Sequence, residues 1–294
     1  MQPSKAEELR AEAGDLHMEG ERTAVASVGP PAGTLASVGS RRSILDNKWA
    51  LRLLVYGGIV LAWQVTAMVK GEFFLPTIPA TLAGIVHIFT EGYYVELLAT
   101  LQQLATGFLI ALAVAIPIGA VMGRFRFVED LLSPWVNTLF VTSKESLLPL
   151  LIIAFGVAFW YRTWVVIIFA VFFPIINTAA GVRYVDRELK ETARAFATPP
   201  GRMFTRVYLP AAAPFVVAGI RLGFGMAMKG MVIAELWVLQ GTGELLSRFA
   251  RAPRRLDLYY ALVIIIVAFA VLVTEILKAI ERRLRPVSST KGTS

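Results

Sequence analysis

Between Trp49 and Ile280 the chain repeatedly runs into apolar stretches that are too long and too poor in charge to be left in water. Crossing a hydrocarbon layer about 30 Å thick takes roughly 20 helical residues. Ala50–Val69, Leu97–Met122, Trp164–Val182, Ala212–Leu239 and Leu258–Ile280 fit that length, and Leu147–Tyr161 falls short of it. That third stretch is expected to begin inside the preceding loop, and a count of five or seven turns on Leu131–Leu150. No stretch alternates apolar and polar residues as a barrel strand does. The expected fold is therefore all-α, a polytopic membrane protein with about six transmembrane helices.

Composition agrees, with 56% hydrophobic and 17% charged residues. Soluble domains carry roughly 45–50% and about 25%. The chain has no cysteine and two histidines, His17 and His87. Disulfides, Cys-ligated zinc, iron–sulfur clusters and thiol catalysis are thereby excluded, and no metal site or His-based triad is expected. The net charge of +8 points to a membrane surface rather than to nucleic acid.

Residues 1–47 are rich in Ala, Gly, Ser, Glu and Pro and have no long apolar run. They read as a disordered cytoplasmic tail with at most a frayed helix over Ser4–Glu12, and no secretory signal opens them. Residues 48–286 form the membrane domain, with a cytoplasmic loop at 183–210, and residues 287–294 a disordered C-terminal tail. Basic residues orient the spans. With the N-terminus inside, inner flanks carry 17 Lys and Arg against 6 on the outer flanks, so both termini are expected to be cytoplasmic. Arg248, Arg251, Arg254 and Arg255 stand out on the outer side, where they would attract an acidic protein surface or anions, or simply be solvated. Ala115, Gly119 and Gly123, and likewise Gly219 and Gly223, recur every four residues, a spacing that lets helix backbones approach.

The longest inner connection reads RYVDRELKETARAFATPPGRMFTRVYLPAAAP. Two short amphipathic helices joined by a bend suit a docking element, and a basic loop held by lipid headgroups is the plainer reading. This loop resembles that of ABC-importer permeases, which carry Glu-Ala-Ala, three residues, Gly, nine residues, Ile, one residue, Leu-Pro. Glu191, Ala193, Val207, Leu209 and Pro210 match at that spacing. Thr192 replaces the middle Ala, and Ala197 replaces the Gly. The bend is therefore expected a few residues downstream, at Pro199-Pro200-Gly201.

The resemblance extends over roughly residues 50–283, to the sulfonate, nitrate and taurine branch of these permeases. It is carried by FFLPTIPATLAGI, by TLQQLATGFLIALAVAIPIGAVMGR with Gln103 in place of a usual Arg, and by LLPLLIIAFGV with Ser143 before it where a Pro is frequent. PFVVAGIRLGFGMAMKGMVIAEL and GTGELL complete the set. The resemblance implies a type I ABC-importer permease fold and the membrane subunit of an importer in the bacterial inner membrane. Its partners would be a separate ATP-binding cassette ATPase, an extracytoplasmic substrate-binding protein, a second permease copy as a homodimer, and the lipid bilayer. This chain has no phosphate-binding G-x-x-x-x-G-K-[ST] string, so ATP would be bound by the partner and no cofactor by the chain itself. By the same resemblance, Glu191–Pro210 fits a groove of the ATPase and moves as a lever.

Polar residues inside spans are the remaining candidates, because burying charge in hydrocarbon is costly. Lys229 lies beyond the midplane. It suits an anionic substrate if it faces the pathway, and otherwise snorkels or pairs with an acid on a neighbouring helix. Arg221 suits either a contact between permease copies or a gate. Glu235 sits near the outer end of the same span. Asn177 is placed to hydrogen-bond across helices, and Pro174 and Pro117 to kink theirs. An ion-gradient-driven transporter or channel is the competing class, but no inverted repeat is evident. A membrane enzyme has no HExxH or G-x-S-x-G string to work with.

Overall fold

The structure, a computed structural model, describes residues 48–71 and 74–284, apart from the side chains of residues 48–50, 187, 194, 200 and 253. The expected tails at 1–47 and 287–294 and the helix expected over Ser4–Glu12 lie outside the described residues. The chain divides into two units, Met1–Gly58 and Ile59–Ser294. Of the first, residues 51–58 are exposed along the start of a helix. The second unit holds the rest of that helix and every other described element.

Every regular element among the described residues is helical. In order they are α1 (Lys48–Lys70), α2 (Ile78–Thr90), α3 (Tyr94–Arg124), α4 (Arg126–Val141), α5 (Leu148–Phe155), α6 (Phe159–Ala170) and α7 (Phe172–Arg183). Then come α8 (Arg187–Ala195), α9 (Pro200–Met203), α10 (Leu209–Val238), α11 (Gly241–Arg251) and α12 (Leu256–Leu284). A 3-10 turn, Lys144–Leu147, leads into α5, and a π turn, Phe204–Tyr208, joins α9 to α10.

Five helical runs are long and apolar enough to cross a membrane: Leu51–Lys70, Tyr94–Arg124, Phe159–Arg183, Gly201–Val238 and Leu256–Leu284. The expected third span, Leu147–Tyr161, is not one helix. α5 stops at Phe155, Gly156 turns the chain at φ 67°, and α6 has begun by Phe159. The crossing there falls to a broken pair, α4 and Lys144–Phe155, bent by 91°. Two contacts show that this pair must travel the full thickness. At one end Arg183, closing α7, meets Glu129 in the first turn of α4. At the other, Gln103 Nε2 donates to the Phe159 carbonyl at 2.6 Å. Gln103 and Gly123 stand about 30 Å apart along α3 at 1.5 Å per residue. The pair therefore makes the sixth crossing. Its first half escaped notice because Glu129, Asp130, Ser133 and Asn137 dilute the apolar run.

Small residues set how the helices meet. Gly107, Ala111, Ala115, Gly119 and Gly123 form one stripe along α3. A Cβ on Gly119 would lie 2.5 Å from the Ile175 carbonyl oxygen, and one on Gly123 2.5 Å from that of Ala179. On the other flank of α7, a Cβ on Gly219 would lie 3.0 Å from Pro174 Cα, and one on Gly223 2.9 Å from the Ala170 oxygen. The α6–α7 rod is thus held between α3 and α10 at backbone distance. The helix breaks at Val171, as Pro174 predicts, because proline has no N–H for the Ala170 carbonyl. α3, by contrast, continues through Pro117. Phe108 and Phe224 stack edge-on at 5.5 Å beside Leu104, Ala227 and Met231, which close the centre.

Candidate functional site

At the Arg183 end, α8 and α9 fold back beneath the bundle. Among the described side chains of α8, Ala193 is the one buried, clustering with Val185, Met203, Tyr208, Val182 and Ala212. Glu191, Thr192 and Phe196 lie on the exposed side. Tyr208 fixes the loop to the spans, since Arg124 Cζ lies 5.4 Å from its ring centre and Lys190 Nζ 5.8 Å. Lys190 Nζ also donates to the Arg183 carbonyl at 3.2 Å. A groove of 1120 Å³ opens between α8 and α10, lined in part by Leu189, Phe196, Val207, Pro214, Phe215 and Leu284.

The bend falls at Ala197 and not at Pro199-Pro200-Gly201. Ala197 takes φ 48°, and the Thr198 N–H reaches back to the Ala193 carbonyl at 3.1 Å. This is a helix stop with a left-handed residue just past the end, a place glycine usually fills. Alanine accepts it at a cost of roughly 1–2 kcal/mol. Gly201 contributes no special backbone; it is inside α9, and a Cβ there would meet nothing within 4 Å. The resembled loop carries glycine at this position, and the alanine that replaces it shifted the expected bend downstream.

Val207, Leu209 and Pro210 do more than end a motif. Pro210 cannot donate to the Arg206 carbonyl, and the Leu209 N–H bonds instead to Phe204, five residues back. The ladder slips by one residue without breaking. Gly201–Val238 is consequently a single run of 38 residues. The second loop helix is the first turn of a span, not a separate element.

Two polar contacts in this half tie distant spans. Arg221 Nε donates to Glu281 Oε2 at 3.0 Å, joining α10 to the end of α12, and Glu281 is only 4% exposed. Asn177 does not bond across helices; its Nδ2 donates to the Phe173 carbonyl of its own helix at 2.9 Å. Arg183 and Glu129 join α7 to α4.

At the opposite end Glu235 is fully buried. Thr100 Oγ1 donates to its Oε1 at 2.6 Å, the Thr242 hydroxyl donates to Oε2, and the Gly243 N–H donates to Oε2 at 3.2 Å. Arg162 Nη1 stands 3.6 Å from Oε1. The Thr242 N–H completes the knot by donating to Thr100 Oγ1 at 3.3 Å. Gly241, at φ 58°, passes so close to the carboxylate that any Cβ would collide with it, and one on Gly243 would strike the Glu235 backbone. The GTG string is therefore a lid folded over one carboxylate, with α3, α6, α10 and α11 meeting there. Beyond it, Leu245, Leu246 and Phe249 bury one face of α11. Of the four arginines expected on the outer side, Arg248 pairs with Glu244 at 2.8 Å and Arg255 with Glu91, the residue just after α2, at 3.1 Å. Those carboxylates hold both guanidinium groups above their ordinary pKa.

Lys229 has an acidic partner: its Nζ lies 3.5 Å from Glu145 Oε1, at the break between α4 and α5. The preceding Lys144 is buried, donating to the Phe140 carbonyl at 2.8 Å. Sequence reading singled out Lys229, Arg221 and Glu235 but not Glu145, Glu281, Arg162, Thr100 or Thr242. Apart from Thr242, whose hydroxyl meets Glu235 seven residues back, each of those acquires meaning only through a partner far along the chain.

Comparison with known proteins bears on the same segments. A family model described as "Binding-protein-dependent transport system inner membrane component" matches residues 115–286. The protein assigned as the aliphatic sulfonates transport permease SsuC of Bacillus subtilis (strain 168) is 30% identical over 241 residues, covering 80% of this chain and 87% of that one. The glycine betaine/proline betaine transport system permease protein ProW of Escherichia coli (strain K12) is 28% identical over 247 residues, covering 83% and 66%. The bicarbonate transport system permease protein CmpB of Synechococcus elongatus is 28% identical over 216 residues, covering 67% and 77%.

Proposed function

The chain belongs to the family of binding-protein-dependent transport system inner membrane components, the permease subunits of ABC transporters, and from that membership we propose how it works. The loop end faces the cytoplasm, in keeping with the excess of Lys and Arg on its flanks. There α8 and α9 seat in an ATPase subunit, presenting Glu191 and Phe196, and two copies of the chain enclose the pathway. A substrate-binding protein delivers solute at the α11 end, where the basic face of Arg248, Arg251, Arg254 and Arg255 suits an acidic surface. The solute carries an acidic group, as do the sulfonates, bicarbonate and betaines in the names of the three relatives.

One observation supports this coupling above the others: α9 continues without interruption into the span α10. A push on α9 is a push on a rod about 57 Å long, at 1.5 Å per residue over 38 residues. Closure of the ATPase pair then rocks α10 directly, a rigid-body switch between inward- and outward-open states.

The test is co-purification followed by reconstitution. A tagged chain should bring down an ATPase bearing a phosphate-binding loop, and uptake into liposomes should require ATP. Inserting two residues between Ala197 and Gly201, or replacing Glu191 with Lys, should abolish uptake while the protein stays in the membrane. Uptake that runs without ATP on an ion gradient would refute the reading.

A further inference from the structure

Lys229 is nine residues from the end of α10, about 14 Å inside the helix terminus at 1.5 Å per residue. At that depth its side chain is 57% exposed and that of Glu145 42% exposed. A charge pair left this open to hydrocarbon would be expensive, so the surface that bears it must meet water or another polar surface. Leu222, 40% exposed, and Gly225, with open space around it, lie on the same face of α10, two turns and one turn before Lys229. In a permease, a water-facing wall at this depth is the pathway.

The three charges around the break are held differently. Lys144 is committed, donating to the Phe140 carbonyl at 2.8 Å with its Nζ 5.5 Å from the Phe140 ring centre and 5.4 Å from that of Phe172. Glu145 has two supports, because Ser143 Oγ donates to its Oε2 at 3.0 Å while Lys229 attends Oε1. Among the described residues Lys229 has one polar contact, the loose one at 3.5 Å, on a flexible four-carbon stem. We infer that Lys229 is the pathway's contact for the acidic group of the transported solute, and that Glu145 is a built-in counter-ion which the solute displaces. The carboxylate stays in place on Ser143 when the lysine turns to its new partner. Between substrates, the pair keeps the passage from presenting a bare cation to small inorganic anions. This inference rests on the permease reading and adds to it the chemistry of one wall.

Because the chain has no cysteine, one introduced thiol is unique. Gly225→Cys, one turn from Lys229, is to be modified in the transporter assembled with its ATPase, using an anionic and a cationic methanethiosulfonate reagent. In the parent, both should react. Adding Lys229→Gln should lower the anionic-to-cationic rate ratio about fivefold or more, and Glu145→Gln should raise it by a similar factor. The double variant should return to within about twofold of the parent. Excess methanesulfonate should slow the anionic reagent in the parent and not in the Lys229→Gln background. Leu222→Cys repeats the measurement two turns away. Thiols that neither reagent reaches would overturn the inference, as would equal ratios in all four backgrounds or methanesulfonate slowing that ignores Lys229. Retention of the ATPase by every variant is scored alongside, and its loss from the parent would count against the permease reading instead.

Discussion

Among the described residues, two helices end on a non-glycine residue in the left-handed region, Ala197 after α8 and Leu239 after α10. Both turns close the same way, with an N–H bonded five residues back: Thr198 to Ala193 at 3.1 Å and Gln240 to Glu235 at 3.2 Å. From there the two segments part. After Leu239 the chain folds Gly241–Gly243 onto a fully buried carboxylate that four helices share. After Ala197 it stays at the surface, held by the apolar packing of Ala193, Met203 and Tyr208 and by cations over one ring. The local stop is the same; the polar closure beyond it decides whether an end is pinned to the bundle or left to engage a partner.

Glu235→Ala attacks the pinned end. Thr100, Thr242, Gly243 and Arg162 lose their common acceptor, and a loss of about 3–5 kcal/mol is expected. The thermal midpoint of the detergent-solubilised protein reads it; a loss under about 1 kcal/mol would mean that the carboxylate does not pin the end. Gly119→Val tests the backbone-distance packing next, with an expected loss of about 1–3 kcal/mol by the same measurement. Pro210→Ala restores an N–H at the π turn and should leave stability within about 1 kcal/mol. It should also rotate α9 against α10, so that uptake per ATP hydrolysed in proteoliposomes falls. Ala197→Gly relieves the strained stop and should raise stability by about 0.5–1 kcal/mol. If it destabilises, the left-handed turn is not where the loop bends.

The sequence made the spans and the small-residue stripe legible because both depend on local spacing. Gly119 and Gly123 line up on α3 whatever they face, and Glu191 through Pro210 keep their register whether or not a partner is present. The third of the six expected crossings was only half legible, because α4 mixes Glu129, Asp130 and Asn137 into its apolar run and then turns through 91°. Glu281 and Arg162 gave no signal, since their meaning lies in Arg221, 60 positions away, and in Glu235 across the bundle. Lys229 was visible as a charge in a span, but only the structure supplies Glu145. Ala197 misled because alanine seldom takes a positive φ.

The claim that force enters α10 through an uninterrupted rod can be met directly with paired spin labels on Arg202→Cys and Gly225→Cys, diluted with unlabelled permease in the ATPase-bound transporter. A continuous helix sets the two sites about 35 Å apart, at 1.5 Å per residue. That distance should hold on ATP binding, while the distance from Arg202→Cys to Phe127→Cys on α4 changes. A separation between 202 and 225 that shifts on ATP binding, with the 202-to-127 distance fixed, would contradict the rod.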